Sequence, residues 1–533
     1  ITTRLVGSEM CIRDRLSGDG GMFAKINSLG LFGLNAFSVD VEVEISRGIP
    51  VFDIVGLPDL VVRESRERIK ASMRSCGMEF PVARVMVNLA PAGTRKSGSV
   101  HDTAIFMAVM KAAGYINAEL DSFCFIGELS LNGDLRPVNG VLPMVLLAKE
   151  EGMKGVFVPS ENAFEATVAD GIDIYGVSDI KELIEHFTSS RRIKKSGKFK
   201  LPVRDKGPTL DFADVKGQRT AKAALEIAAA GGHNALLIGT PGSGKSMLAK
   251  RMPSILPDMT FDESIETTKI HSISGMLDPA SPFVTSRPFR APHHTISSAG
   301  LAGGGTIPKP GEISIAHNGL LFLDELAEFD RRTLEILRQP LEDGRVTISR
   351  ASGTVVYPAS IMLIAAMNPC PCGYYGHPSG KCRCSHKQVA NYLSKISGPM
   401  LDRFDLHIEV APVEFSDISS DKKEESSAEI RKRVSSARDI QNERFKGTGI
   451  TCNAKITPDR LNGFCPMDDK AKAFIGMAFD RLGLSARAYD RLLKVARTIS
   501  DLNGCEKIEK EHISAAIQFR SLDRKYWSGE EQK

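Results

Sequence analysis

The chain has 533 residues, 42% hydrophobic and 25% charged, with 69 Lys and Arg against 65 Asp and Glu for a formal charge of +4; this is near the average of soluble globular proteins and leaves room for two to four domains. Its longest purely apolar runs, 104–110 and 361–367, hold seven residues each, far short of the roughly 20 that span a bilayer as a helix, which argues against a transmembrane protein and a membrane partner. Four of the ten cysteines fall within 370–384 and six are scattered, unlike a secreted disulfide scaffold, so a reducing cytoplasm is the expected compartment.

Residues 1–21 have no periodicity, and LVGSEMCIRDR resembles mistranslated sequencing-adapter DNA; Met22 opens a sensible start, so this leader is set aside as non-native or disordered. VDVEVEI over 39–45 alternates strictly, as a half-buried strand does, and an Arg/Glu-rich helix over 60–73 follows. A strand over 84–89 leads through a Gly/Ser/Lys loop, 93–99, into an apolar helix over 103–113. A strand over 123–126, a turn at Asn132-Gly133, a helix over 141–150 and a strand over 155–158 complete an α/β domain, 22–188. Residues 191–206 then carry eight Lys and Arg against one Asp, so the rest of the chain sums to 4 − 7 = −3. The segment 189–208 reads as a basic linker, either a solvated spacer or a contact for phosphates.

A short buried strand over 234–238 runs into Gly239-Thr240-Pro241-Gly242-Ser243-Gly244-Lys245-Ser246, with Met247 next in a helix. This is a P-loop in its required context: glycines let backbone N–H groups wrap phosphates, Lys245 supplies a point charge and the Ser246 hydroxyl suits Mg²⁺. Leu320-Leu-Phe-Leu323-Asp324-Glu325 is an apolar strand ending in two carboxylates, one to hold Mg²⁺ and one to deprotonate water at the γ-phosphate of ATP. A third strand, 361–367, ends at Asn368, placed to sense that phosphate. Arg403 follows an apolar helix end, and an amphipathic helix over 484–502 carries Arg487 in its first turn. Singly these arginines read as surface salt bridges; beside a P-loop they fit a ring ATPase in which cations complete the site.

The strings Asp214-Val-Lys-Gly217-Gln218, Arg287-Pro-Phe-Arg290-Ala-Pro-His293-His294-Thr, Lys309-Pro-Gly311-Glu312-Ile-Ser, Leu337-Arg-Gln-Pro-Leu-Glu342-Asp-Gly344 and Leu401-Asp-Arg403-Phe resemble the magnesium-chelatase-like branch of the AAA+ ATPases. The front domain and clustered cysteines narrow the resemblance to the competence protein ComM (YifB) family, over essentially all of 22–525. It implies an α/β fold: an AAA+ core over 209–415 with a Cys-rich insertion at 370–384, a helical lid over 416–525 and a tail over 526–533, preceded by a Lon-protease-like domain. It also implies a hexameric ATP-driven motor on single-stranded or branched DNA, similar to a branch-migration helicase of natural transformation, with recombination proteins as further partners. On that pattern Asn368 corresponds to sensor 1, Arg403 to the arginine finger and Arg487 to sensor 2, with Arg331, Arg332 and Arg350 as alternatives for the finger.

Cys370-Pro-Cys372, nine residues and Cys382-Arg-Cys384 place four soft ligands in a Gly- and Pro-rich loop. Tetrahedral Zn²⁺ is favoured over disulfides and over no metal, although C-x-C replaces the usual C-x₂-C; His377 or His386 can replace one thiolate. The 79 positions from Lys245 to Asp324 leave room for inserted hairpins. Residues 345–350 and 354–357 flank a turn at Ala351-Ser-Gly353, and Lys309, Arg345 and Arg350 are candidates for DNA backbone contacts. His293 and His294 read as hydrogen-bonding within their insertion. The front domain resembles the proteolytic domain of Lon-type proteases, but the nucleophile and base positions hold Val100 and Leu142, which cannot move a proton; it reads as a non-catalytic platform. Three rival readings stand: a magnesium-chelatase-type chaperone, disfavoured by the front domain and the four cysteines, an ATP-dependent protease, and a protein remodeller without DNA.

Overall fold

In a computed structural model of the chain, the structure describes residues 22–189, 191–201, 210–278, 281–305, 308–350, 353–377, 379–412, 424–520 and 522–527. The expected leader, parts of the linker and tail, and the hairpin turn at 351–352 lie outside them. Two compact units result, the first from Ile1–Val203 and Ser264–Val284, the second from Arg204–Glu263 and Thr285–Lys533.

In the first unit the alternation over 39–45 buries Val39, Val41, Val43 and Ile45 on one face. Their strand β2 (Asn35–Ser46) is longer than its pattern because it pairs antiparallel along β1 (Met22–Phe32), from Met22 opposite Ile45 to Phe32 opposite Asn35. Gly33, at φ 65°, supplies the tight turn between them. With β3 (Val51–Val55), β4 (Arg84–Ala90), β5 (Phe123–Phe125), β6 (Gly155–Pro159) and β7 (Asp173–Val177) they form one sheet in the order β3-β4-β2-β1-β5-β6-β7. Its longer helices before residue 190 are α1 (Leu60–Ser75), α2 (Asp102–Ala112), α3 (Val141–Glu150) and α4 (Ile180–Thr188). α2 is buried almost all round, which is why its pattern is apolar without a polar face. Residues 264–284, expected within the ATPase core, belong to this unit. Phe283 is buried with Leu142 and Val168, and the enclosed Glu165 carboxylate accepts hydrogen bonds from the Ser272 hydroxyl and, at 2.9 Å, from the Leu142 N–H.

The second unit is built on a five-stranded parallel sheet. β8 (Ala235–Gly239), β9 (Phe289–Arg290), β12 (Leu320–Leu323), β15 (Met362–Met367) and β16 (Leu406–Val410) lie in the order β9-β12-β15-β8-β16. β8, β12 and β15 are buried throughout, which explains their unbroken apolar runs. α5 (Arg219–Gly231) and α6 (Lys245–Ile255) pack on the sheet; α7 (Phe261–Ser274), which from Ser264 onward belongs to the first unit, and α8 (Ser298–Ala302) follow in the chain. Two small ladders stand apart from it: β10 (Gly303–Gly304) with β11 (Lys309–Pro310), and the expected hairpin β13 (Arg345–Arg350) with β14 (Gly353–Pro358). After α9 (His386–Leu393) the carboxyl-terminal helices are α10 (Ser427–Arg444), α11 (Asp469–Leu482), α12 (Ala486–Leu502) and α13 (Lys510–Gln518). The α12 stripe Leu492, Val495 and Ile499 joins the same apolar core as β8 and β12. A buried polar link reinforces it: His233 meets Thr498 Oγ1 at 2.7 Å and Asp405 Oδ2 at 3.2 Å.

Candidate nucleotide site and cysteine cluster

The strands of a parallel sheet end on one edge, and that is where ligands meet open α/β folds. β8, β12 and β15 deliver the P-loop, the two carboxylates and Asn368 to this edge. Gly242 and Gly244 take φ of 78° and 95°, conformations that favour glycine, and so turn the loop into α6. Gly239 cannot carry a side chain, since a Cβ would lie 2.4 Å from the Val410 carbonyl oxygen. The Lys245 ammonium donates to the Gly239 and Thr240 carbonyls at 2.8 and 2.9 Å and to Asn368 Oδ1 at 3.2 Å. Burial lowers its pKa against the pull of Asp324. Among the described residues the enclosed Ser243 hydroxyl finds no hydrogen-bond partner, a buried polar group of the loop left for a ligand to satisfy.

Ser246 Oγ donates to Asp324 Oδ2 at 2.6 Å. A hydroxyl and a carboxylate in contact are the hard oxygen pair that suits Mg²⁺. Glu325, next in the chain, has φ 52° and is 58% exposed. Its Oε2 lies 3.3 Å from His294 Nδ1. His293 keeps to its own insertion, 2.9 Å from Thr295 Oγ1, whereas His294 reaches out of it to the carboxylate, contrary to the expectation that both would bond locally. No local signal marks this pair, because the two residues are 31 positions apart and meet only through strand order.

The structure thus brings together Lys245, Ser246, Asp324 and Asn368, with Glu325 adjoining, but not the arginines. Arg403 is 7% exposed, donates to the Pro399 carbonyl at 3.1 Å and is ion-paired with Glu342. Arg487 is exposed on the first turn of α12. One turn further, Arg491 is mostly enclosed and lies 3.7 Å from both Asp402 and Asp405; burial lowers its pKa despite these carboxylates. The helical period that picks out the α12 stripe holds Arg491 as readily as Arg487, and only the Asp402 and Asp405 contacts distinguish it.

Cys370, Cys372, Cys382 and Cys384 gather into one group. Sulfur separations are 3.3 Å for Cys370–Cys372, 3.9 Å for Cys370–Cys382 and 3.6 Å for Cys372–Cys382. Tetrahedral thiolates at a Zn–S distance of about 2.3 Å stand about 3.8 Å apart, close to the Cys370–Cys382 and Cys372–Cys382 separations, so the donor set suits zinc; a disulfide needs about 2.05 Å. His377 Nδ1 instead meets Ser379 Oγ at 2.6 Å, and neither histidine belongs to the group. Burial pushes the Cys370 thiol up to about 12. At Cys372 burial is outweighed by the Tyr374 and Arg383 N–H groups, which bring it down to about 6. The cluster's loop lies against the P-loop: a Cβ on Gly373 would fall 2.5 Å from Pro241 Cδ. On the hairpin, Val346 and Ile348 are buried while Arg345 and Arg350 are exposed, as is Lys309 on β11.

In the first unit Leu142 is fully enclosed and Val100 packs against the neighbouring apolar cluster. Nearby, the buried Lys96 ammonium donates to the Pro91 carbonyl, Ser99 donates to Glu128, and His101 Nδ1 meets Ser28 Oγ at 2.9 Å. Among the described residues no serine is paired with a lysine there.

Three family sequence models match this chain: "Magnesium chelatase, subunit ChlI" over 211–418, "Subunit ChlI of Mg-chelatase" over 41–162 and "Magnesium chelatase, subunit ChlI C-terminal" over 424–520. The second covers much of the front domain. Competence protein ComM of Haemophilus influenzae is 40% identical over 508 residues, 94% of this chain and 98% of that protein. The protein YifB of Escherichia coli is 39% identical over 502 residues, 94% and 97% of the two chains. Lon protease 2 of Bacillus subtilis is 27% identical over 180 residues, 30% of this chain and 32% of its own.

Proposed function

The chain belongs to the ComM/YifB family of magnesium-chelatase-like AAA+ ATPases, and from that premise we propose that it is a hexameric ATP-driven DNA motor, a branch-migration helicase of natural transformation and recombination. The carrying observation is the meeting of Lys245, Ser246, Asp324 and Asn368 at one sheet edge beside Glu325. The family implies ATP and Mg²⁺. In this reading Ser246 and Asp324 hold the ion, which neutralises charge developing on the transferred phosphoryl group. The P-loop from Gly239 to Met247 and Lys245 bind the phosphates. Glu325 takes the proton of the attacking water, and Asn368 orients the γ-phosphate through the contact it already makes with Lys245.

Arg403 serves a neighbouring subunit as the finger, leaving Glu342 to do so, and Arg487 closes from the lid. The four cysteines take a structural Zn²⁺. Lys309, Arg345 and Arg350 meet the DNA backbone, recombination proteins are the further partners, and the front domain is a platform without peptidase chemistry. The nine described cysteines are unbridged, which suits the cytoplasm. No helix among the described residues is long and apolar enough to cross a membrane.

The test is ATP turnover with and without single-stranded and forked DNA at two salt concentrations, with Lys245→Ala as the blank. Stimulation that fades as salt rises is expected, because backbone contacts release counterions. Steady turnover with no response to either DNA transfers the reading to a chelatase-type or protein-remodelling ATPase.

A further inference from the structure

Resting on the reading of Arg403 as the finger for a neighbouring subunit and of Arg487 as the lid arginine, we propose that Arg491 is the positioning residue that joins them, setting Arg403 for the neighbour as the lid of its own chain closes. The helix supplies the link. Arg487 and Arg491 are four residues apart on α12, one turn along the same face. A pull on the first arginine displaces the second with it, because a packed helix moves as a rigid element.

The displacement arrives at Asp402-Arg403-Phe404-Asp405, between the helical turn Gly398–Leu401 and β16. Arg491 Nη1 stands 3.7 Å from Asp402 Oδ1, and its Nε stands 3.7 Å from Asp405 Oδ1, so one guanidinium spans the carboxylates on either side of Arg403. Without it both carboxylates lose a cation and draw the Arg403 guanidinium to themselves. Neither contact is closed, since a charge-assisted hydrogen bond is about 2.8 Å long. Among the described residues Arg491 Nη1 and Arg403 Nε are enclosed donors without a hydrogen-bond partner, and buried polar groups are seldom left so. The two arginines therefore hold donors in reserve for a second arrangement.

The backbone under Arg403 is fixed to the nucleotide strands, which leaves the side chain as the part that responds. Asn234, at the entry to β8, donates from Nδ2 to the Arg403 carbonyl at 3.0 Å and accepts at Oδ1 from the Leu363 N–H of β15 at 2.8 Å. Its own carbonyl accepts from the Asp405 and Leu406 N–H groups at 2.9 and 3.1 Å. The Arg403 guanidinium, by contrast, is held by side-chain pairing with Glu342 and by the Pro399 carbonyl. Lid closure that shortens the Arg491 contacts commits Asp402 and Asp405 to the lid, and so removes two acceptors that compete with the neighbour's phosphate for this guanidinium.

The experiment mixes full-length subunits in equal amounts and reads ATP turnover. Arg403→Ala keeps its own site and lacks the finger; Glu325→Gln keeps the finger and lacks the base, so in a mixed ring the second completes the first. Together these two impaired variants are expected to turn over ATP at least about tenfold faster than either alone. With Arg491→Ala added to Glu325→Gln, the chain that offers the finger, the regained turnover is expected to fall about tenfold, the scale of a misplaced reacting group. With Arg491→Ala added instead to Arg403→Ala, the chain whose site hydrolyses, turnover is expected to stay within about twofold, as for independent positions. Equal rescue by Glu325→Gln with and without Arg491→Ala overturns the proposal. So does loss of rescue in both placements, the mark of a merely structural role. Failure of Glu325→Gln itself to rescue Arg403→Ala overturns the underlying reading of the finger, and so separates the two failures.

Discussion

Each unit has a Gly- and Ser-containing loop that carries a buried lysine toward the start of an apolar helix, and only one of the two is arranged to meet an anion. Lys96 precedes α2, whose first turn contains the buried Asp102; that carboxylate is already taken by Arg68 at 2.6 Å and by the Leu129 N–H at 3.2 Å. Negative charge at that helix start repels a phosphate. Lys245 opens α6, whose first turn holds no acid and whose preceding Gly244 offers no side-chain cap, so the N–H groups and the positive end of the helix dipole remain available. A buried lysine at a helix start is thus not a site. What distinguishes the P-loop is uncommitted donors together with a hydroxyl–carboxylate pair, Ser246 and Asp324, supplied by a different strand.

The sharpest break of this comparison is expected from Glu325→Gln. ATP binding survives because Lys245, Ser246 and Asp324 are untouched, while turnover falls on the order of 100-fold or more with the loss of a general base. Equal turnover in mutant and wild type would remove Glu325 from the chemistry. Next in size is the double change Cys382→Ser and Cys384→Ser. Bound zinc, measured by mass spectrometry, should fall from about one ion per chain to none, and the thermal midpoint by about 5 °C or more, because metal binding is part of the folding free energy. Identical metal content would sink the zinc assignment.

A smaller effect tests the enclosed start of α2 in the first unit. Burial, with a minor contribution from Lys96, depresses the His101 imidazole from 6.5 to about 4. Between those values the unfolded chain binds the proton and the folded chain does not. His101 therefore contributes stability that is complete above pH 6.5 and is lost as pH falls toward 4. At about 1.36 kcal/mol per pH unit the loss is roughly 3 kcal/mol. His101→Gln should flatten the acid side of the urea-unfolding free energy of the first unit and narrow its gap to wild type at low pH. Parallel pH curves for the two proteins would contradict the enclosed, neutral imidazole.

Much of this contrast could be read from residue order and some of it could not. Strict alternation announced β2, and unbroken apolar runs announced β8, β12 and β15, because burial on one or both faces leaves a local pattern. The two-residue strand β9 leaves none: Phe289 and Arg290 are extended only because Leu320 and Leu321 lie beside them. The His294–Glu325 contact depends on that pairing and was equally hidden. β1 lacks a clear local pattern for a related reason, since Ser28 and Asn27 interrupt its apolar residues while bonding to the Phe125 and Asp121 carbonyls at 3.2 and 2.7 Å. Residues 264–284 carry no local mark of the unit they join, because their packing against Leu142 and Val168 is made with residues far away in the chain. Asn368 was legible for the opposite reason: it ends a six-residue apolar strand, and such strands adjoin one another in a parallel sheet.

The smallest expected effect is also the most direct test of the opening contrast. Lys96 is fully enclosed, its ammonium donates to the Pro91 carbonyl, and burial lowers its pKa. Methionine has a similar length and no charge. Lys96→Met removes one hydrogen bond, worth about 1 kcal/mol net, and at the same time removes the desolvation of a buried cation, an exchange that is often neutral. ATP turnover should stay within about twofold of wild type and the thermal midpoint within a few degrees, since about 1 kcal/mol moves a domain of this size by roughly 2–4 °C. Lys245→Met, the same change at the other helix, should abolish turnover without unfolding the second unit. If Lys96→Met also abolished turnover, the lysine of the first unit would have a function its burial and its carbonyl partner do not account for, and the distinction between the two loops would have to rest on something other than uncommitted donors.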